Sequence, residues 1–145
     1  MVIEAFASKK VFLDTAPLIY FIESNNEYKN ILFKLFDYND KGNFLFLTSS
    51  ITLLEVLVKP LRERTISLAQ QYTSILTTAS NLILLDVTAF IAQQAAQLRA
   101  QYNLKTPDSI QLATAMEAGA DYFLTNDARL KSLSVIHAIM LAELQ

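Results

Sequence analysis

Short apolar runs alternate along this chain with longer amphipathic stretches, and that alternation excludes most architectures. Lys10 to Leu13, Phe44 to Leu47, Leu82 to Leu85 and Tyr122 to Leu124 have the length and composition of buried strands. Between the first two lie a short helix from Pro17 to about Glu23 and a longer one from Tyr28 to Tyr38. The longer one carries Ile31, Leu32, Leu35 and Phe36 at helical spacing, and Lys41-Gly42-Asn43 turns the chain after it. A helix from about Ser50 is predicted to be disturbed or ended by Pro60. Others cover Thr65 to Ala79, Thr88 to Gln101 and Thr106 to Ala118, the last stopped by Gly119. Asp127 to Leu133 reads as a short helix, Ser134 to Ile136 as a fifth strand and Ala138 to Leu144 as a terminal helix. Strands separated by helices predict an α/β chain with a parallel sheet sandwiched between helices. In such sheets ligands bind beyond the carboxyl ends of the strands.

Composition narrows the chemistry. The 145 residues are expected to form one domain, residues 1–145, without internal repeat or linker. The apolar runs are too short to span a bilayer and the N-terminal segment has no secretory apolar core, so a cytoplasmic protein with no membrane contact is expected. The absence of cysteine excludes disulfides and thiolate metal sites. Two glycines, Gly42 and Gly119, cannot build a P-loop or a dinucleotide fingerprint. The single histidine, His137, excludes multi-histidine zinc sites and reads as a packing or surface residue. No Gly-x-Ser-x-Gly elbow accompanies it. The net charge of −2 argues against a strongly basic nucleic-acid clamp. Four of the 14 acids are site candidates, however, and the other ten stand against 12 basic residues, a balance of +2 that is compatible with an RNA partner.

Those four acids occupy comparable places. Asp14 ends the first strand, Glu55 lies early in the helix after Ser50, Asp108 sits in the first turn of its helix, and Asp127 follows the fourth strand. Acids placed alike on their elements can converge on one edge of a sheet. Their mutual repulsion would then call for a hard divalent cation with oxygen ligands. Each also has a structural reading. Asp14 suits an N-cap. Thr52-x-x-Glu55 matches a capping box, although a charge among Leu53, Leu54, Val56, Leu57 and Val58 needs a partner, a cation or an exposed helix face. The helix dipole favours Asp108 without any function, and Asp127 suits an Asx-turn or cap. Asp86 also follows a strand, but reads as the cap of the long helix beyond it. Glu23 could contribute from outside the cluster, whereas Asp121 and Glu117 read as solvated or structural. Lys59, Arg62 and Arg64 read as a solvated helix end.

Leu13-Asp14-Thr15, Ser50 to Glu55, Thr106-Pro-Asp-Ser-Ile-Gln-Leu-Ala-Thr-Ala and Gly119-Ala-Asp-Tyr-Phe-Leu-Thr-Asn-Asp, in this order, resemble the PIN domain family, and most of all its VapC-type ribonuclease toxins. The resemblance runs nearly end to end, and the last two segments are its most specific part. It implies a three-layer α/β/α sandwich with a central parallel sheet of four to five strands, and a Mg2+- or Mn2+-dependent endoribonuclease. By motif match, Asp14, Glu55, Asp108 and Asp127 take the four catalytic, metal-binding positions. Asp14, Asp108 and Asp127 are the expected ligands, and Glu55 binds a second ion or positions water. Thr125 and Asn126 match flanking polar positions that orient the fourth acid or a metal-bound water. The resemblance further implies an RNA substrate, a cognate antitoxin and a homodimer. Apolar positions between Tyr28 and Leu76 could supply a partner groove or simply fill the core. The chain departs from the family pattern in Ala128-Arg-Leu-Lys, where many relatives carry an acid and an aromatic.

Other functions fit less well. A receiver-like signalling domain needs an adjacent acid pair after the first strand and a lysine after the last. Leu13-Asp14-Thr15 supplies one acid, and Lys131 is poorly placed. A haloacid-dehalogenase-type phosphatase needs Asp-x-Asp, and Ala16 holds the second position. A PIN-like module that binds RNA or protein without cutting stays open on the sequence.

Overall fold

In the computed structural model, which describes residues 1–145, five strands form one all-parallel sheet in the order β3-β2-β1-β4-β5. The strands are β1 (Lys10–Leu13), β2 (Leu45–Ser49), β3 (Leu82–Leu85), β4 (Tyr122–Thr125) and β5 (Ala138–Met140). Seven helices connect them: α1 (Thr15–Ile22), α2 (Lys29–Asp40), α3 (Ser50–Arg62), α4 (Ile66–Thr78), α5 (Ala89–Tyr102), α6 (Thr106–Glu117) and α7 (Ala128–Lys131). This is the three-layer α/β/α sandwich that the strand and helix pattern implies.

Successive strand side chains point to opposite faces, and here both faces are buried. Val11, Leu13, Phe46, Leu124 and Ile139 pack against Leu18, Leu32, Leu35, Val56, Tyr72 and Leu76 of α1 to α4. The alternate residues Phe12, Leu47, Phe123 and Ala138 pack against Ile91, Ala95, Leu98, Leu112 and Leu130 of α5 to α7. Phe12 and Phe123 stack across the β1–β4 pair with centroids 5.2 Å apart. Each of the Val, Leu, Ile and Phe side chains among them contributes about 1.5–3 kcal/mol when fully buried, so these two cores hold the sheet edge that carries the acids.

Two expectations near the end of the chain are corrected. The fifth strand is Ala138–Met140, not Ser134 to Ile136, and no terminal helix follows it, only a 3-10 turn at Leu141–Glu143. Ala138 and Ile139 pair with Phe123 and Leu124 of β4 and are buried there, so sheet pairing overrides local helix preference. Of the two outcomes expected at Pro60, disturbance or termination of the helix, termination does not occur. Pro60 lies buried inside α3, which continues to Arg62, and its carbonyl accepts the Thr65 N–H at 2.8 Å. A proline this close to the end removes one intrahelical bond and leaves few turns to disturb. Gly119, at φ +71°, takes the left-handed conformation that ends α6.

From β1 the chain builds β2 and β3 on one side of the sheet and later β4 and β5 on the other. The winding therefore reverses between β1 and β4. The crevice outside the carboxyl ends of these two strands is the topological switch point, where open α/β sheets take their ligands. No helix is long and apolar enough to cross a membrane.

Candidate functional site: a four-carboxylate cleft

The crevice at the switch point is a cleft of about 450 Å³, and Asp14, Glu55, Asp108 and Asp127 all line it, with Thr15, Tyr20 and Asn126. Four acids from β1, α3, α6 and the end of β4 are thus brought together.

Asp14 extends the β1–β4 ladder by one residue, its N–H donating to the Leu124 carbonyl at 3.0 Å. Its Oδ1 accepts the Thr15 N–H at 2.9 Å, so it does cap α1. Its Oδ2 accepts the Thr125 hydroxyl at 2.8 Å. Thr125 is fully buried, and its oxygen also accepts the Asp127 N–H at 3.0 Å. One hydroxyl therefore orients the first acid and the backbone of the fourth. The other flanking residue, Asn126, donates its side-chain amide to the Tyr20 hydroxyl at 3.3 Å.

Glu55 forms no capping box. Ser49 caps α3, and Thr52 is buried inside it. The Glu55 carboxylate instead accepts the Thr15 hydroxyl at 2.7 Å, across the cleft floor from Asp14. Its helix is tied to the Asp108 helix by buried polar groups. The Thr48 hydroxyl lies 2.8 Å from both the Leu13 carbonyl and the Thr52 hydroxyl. Thr52 accepts the Gln111 amide at 2.6 Å, and Ser49 donates to Gln111 Oε1 at 2.5 Å. Thr52 lies three residues before Glu55 and Gln111 three after Asp108, so this network sets the spacing of the two acids.

Asp108 sits in the first turn of α6, half-buried. Asp127 caps α7, accepting the Arg129 N–H at 3.0 Å. The Arg129 guanidinium then closes on it, with Nε 3.1 Å from Oδ1 and Nη2 2.6 Å from Oδ2, and Nη2 also lies 3.4 Å from Asp108 Oδ2.

The electrostatics follow from this packing. Burial pushes the Asp14 carboxyl up to about 6, against the Thr125 and Thr15 hydrogen bonds that favour its ionised form, and the charges of Asp108 and Glu55 add to the rise. Burial also raises Asp108, with Asp127 adding to the rise and Arg129 opposing it. Asp127 is held below the usual carboxylate range by its hydrogen bonds to Arg129. As they lie, no three of these side chains converge tightly enough to hold one ion directly. The donor set is nonetheless all oxygen and mutually repelling. It suits a Mg2+-type cation, which takes one or two carboxylates and keeps several waters.

Several other residues fall outside the cleft. Asp86 is exposed and does not cap α5; Thr88 does, accepting the Ile91 N–H at 3.1 Å. Glu23 lies at the far end of α1 and accepts the Tyr72 hydroxyl, so it serves the core. Asp121 anchors the start of β1 through the Lys10 N–H at 2.9 Å. His137 is exposed against Tyr122, and Lys59, Arg62 and Arg64 are exposed away from the cleft lining. Sequence reasoning missed Thr15, Tyr20 and the grip of Arg129 on two acids. A hydroxyl directly after Asp14 was the available signal for Thr15; Tyr20 had none.

A family model for the PIN domain matches residues 11–136. Among solved structures, the fold is similar to the VapBC2 complex from Rickettsia felis bound to a promoter DNA fragment (19% identity, TM-score 0.72, 90% of this chain and 98% of that one). It is also similar to DNA-bound VapBC from Salmonella typhimurium (22% identity, TM-score 0.71, 92% of this chain and 98% of that one). A third similar structure is VapC20 of Mycobacterium tuberculosis, described as a sarcin-ricin loop cleaving toxin (15% identity, TM-score 0.71, 88% of this chain and 97% of that one). A search of curated proteins by sequence gives no match. With a family model over residues 11–136, most of the chain, and the matching sandwich around them, the chain belongs to the PIN domain family.

Proposed function

We propose that residues 1–145 form a single catalytic domain, a Mg2+- or Mn2+-dependent endoribonuclease that hydrolyses RNA phosphodiester bonds as the toxin of a toxin–antitoxin pair. The observation that carries the catalytic reading is the convergence of Asp14, Glu55, Asp108 and Asp127 on one cleft at the switch point. Membership of the PIN family supports nuclease chemistry. A solved neighbour from Klebsiella pneumoniae described as a toxin–antitoxin complex supports the pairing, and VapC20, described as cleaving the sarcin-ricin loop, supports RNA as the substrate class.

A divalent cation bound here would neutralise charge on the phosphate and activate water. The chain's own residues do the positioning. Asp14, Asp108 and Asp127 would hold the cation, and Glu55 would hold a second ion or orient the water. Thr125 fixes Asp14 from a buried position, and Thr15 fixes both Asp14 and Glu55. Both threonines act through neutral groups, so they orient the carboxylates without cancelling the charge a cation needs. Because burial keeps a proton on Asp14 up to about pH 6, loading at lower pH must displace that proton.

An antitoxin and a second copy of the chain are the proposed protein partners, in the cytoplasm. Exposed Leu54, Val58 and Leu61 on α3 and Ile66 on α4 form an apolar face that supports a protein contact. Light scattering tests the dimer; a monomer at micromolar concentration refutes it. The decisive assay is cleavage of a mixed cellular RNA pool with Mg2+, Mn2+ or EDTA. Discrete metal-dependent products that vanish with Asp108→Asn are expected. Absence of cleavage with either metal would favour a non-cleaving PIN-like binding module.

A further inference from the structure

Arg129 is the cation that closes directly on the cleft acids. Its Nε and Nη2 engage both oxygens of Asp127 in a fork, at 3.1 and 2.6 Å, and Nη2 reaches on to Asp108 at 3.4 Å. These are oxygens that a hard cation in the cleft would need. Paired charge-assisted bonds of this kind are among the stronger polar contacts, and a guanidinium and a dication cannot share the same oxygens without repulsion. The Arg129 side chain is nevertheless 61% exposed, so solvent screens the pair and the side chain can leave without unpacking the protein.

We propose that Arg129 is the resident counter-ion of the cleft, competing with a divalent cation for Asp127 and Asp108, so that loading the site exchanges the guanidinium for the metal. The proposal rests on the metal-dependent reading of the cleft given above. The rival role is a clamp that pre-forms Asp127 for the metal. The geometry speaks against it, because Asp127 is already held without the guanidinium. Its N–H donates to the buried Thr125 hydroxyl, its Oδ1 accepts the Arg129 backbone N–H, and Leu130 anchors α7 in the core. The two roles predict opposite signs: removing a competitor tightens metal binding, and removing a clamp weakens it.

Isothermal titration of Mn2+ into the protein of residues 1–145 decides between them, comparing wild type with Arg129→Gln, Arg129→Lys and Asp127→Asn. Arg129→Gln is expected to bind Mn2+ about tenfold more tightly than wild type, Arg129→Lys to fall between them, and Asp127→Asn to bind more weakly. Equal or weaker binding by Arg129→Gln overturns the exchange while leaving the metal site standing. Unchanged binding by Asp127→Asn also overturns it, because the ion then sits elsewhere. No binding by wild type or Arg129→Gln overturns both the exchange and the metal-dependent reading. A second measurement needs only the wild-type fold. In 15N-arginine-labelled protein, the Arg129 Nε–H resonance, assigned with Arg129→Lys, should move to the position of a free arginine as Mg2+ is added. A resonance that stays in place at saturating Mg2+ overturns the proposal.

Discussion

The two halves of the cleft are braced in different ways. On the β1 and α3 side, Asp14 and Glu55 are held by neutral donors: the Thr125 and Thr15 hydroxyls and the Thr15 N–H. On the α6 and α7 side, Asp108 and Asp127 share an exposed guanidinium. Neutral donors orient a carboxylate without cancelling its charge, so burial dominates and Asp14 is pushed up to about 6. The guanidinium cancels charge, and Asp127 is held low. One half therefore stores unfavourable charge in a rigid setting; in the other, burial still raises Asp108, but a group that can leave compensates Asp127 and opposes that rise.

The comparison can be broken at several levels. The largest effect is expected in catalysis: Asp14→Asn should lower RNA cleavage by at least about a hundredfold, with the circular dichroism spectrum unchanged. Full activity in that variant would remove Asp14 from the site. The next is a pH effect. The Asp14 carboxyl titrates at about 6 when folded against 3.8 in the reference state, so the folded protein binds this proton more tightly. The stability it confers is complete below pH 3.8 and is lost as pH rises through about 6. The metal-free protein should lose on the order of 2 kcal/mol from this group between pH 4.5 and 7, and Mn2+ at pH 7 should restore it. Urea denaturation in EDTA at pH 4.5 and 7 measures this when wild type is compared with Asp14→Asn, because Asp108, Asp127 and Glu143 also shift on folding; equal pH dependence in the two proteins would mean that Asp14 is not desolvated.

Thr125→Val removes a fully buried hydroxyl that bridges Asp14 and the Asp127 N–H. It should cost about 1–3 kcal/mol in urea denaturation and raise the Asp14 pKa further. The smallest effect is expected on the other half. Arg129→Gln should move the urea midpoint of the metal-free protein far less than Thr125→Val, because its ion pairs lie in solvent. Equal shifts in the two variants would erase the distinction between the halves.

Much of this site could be read along the chain. Asp14 and Asp127 lie where apolar runs end, and Asp108 follows a proline that starts a helix. These are local signals, and the structure brings all three to one cleft. Glu55 was ambiguous because Thr52-x-x-Glu55 is also a capping pattern. The choice fell to Gln111, which draws Thr52 into the core and leaves Glu55 for Thr15. Asp86 was misread because a strand-end acid and a strand-end cap look alike when Thr88 stands two residues on.

By itself the sequence determined the element types as far as α7, because hydrophobic period and turn residues act over a few positions, and it determined which acids stand at element ends. Tertiary structure alone decided that β4 lies beside β1, which lets Thr125 reach Asp14 across 111 residues of chain. It also made Ala138–Met140 a strand and turned Arg129 onto Asp108 from 21 residues away. Such pairings leave no local mark. Their free energy comes from surface buried and charge compensated between distant segments, and it exists only once the sheet has closed.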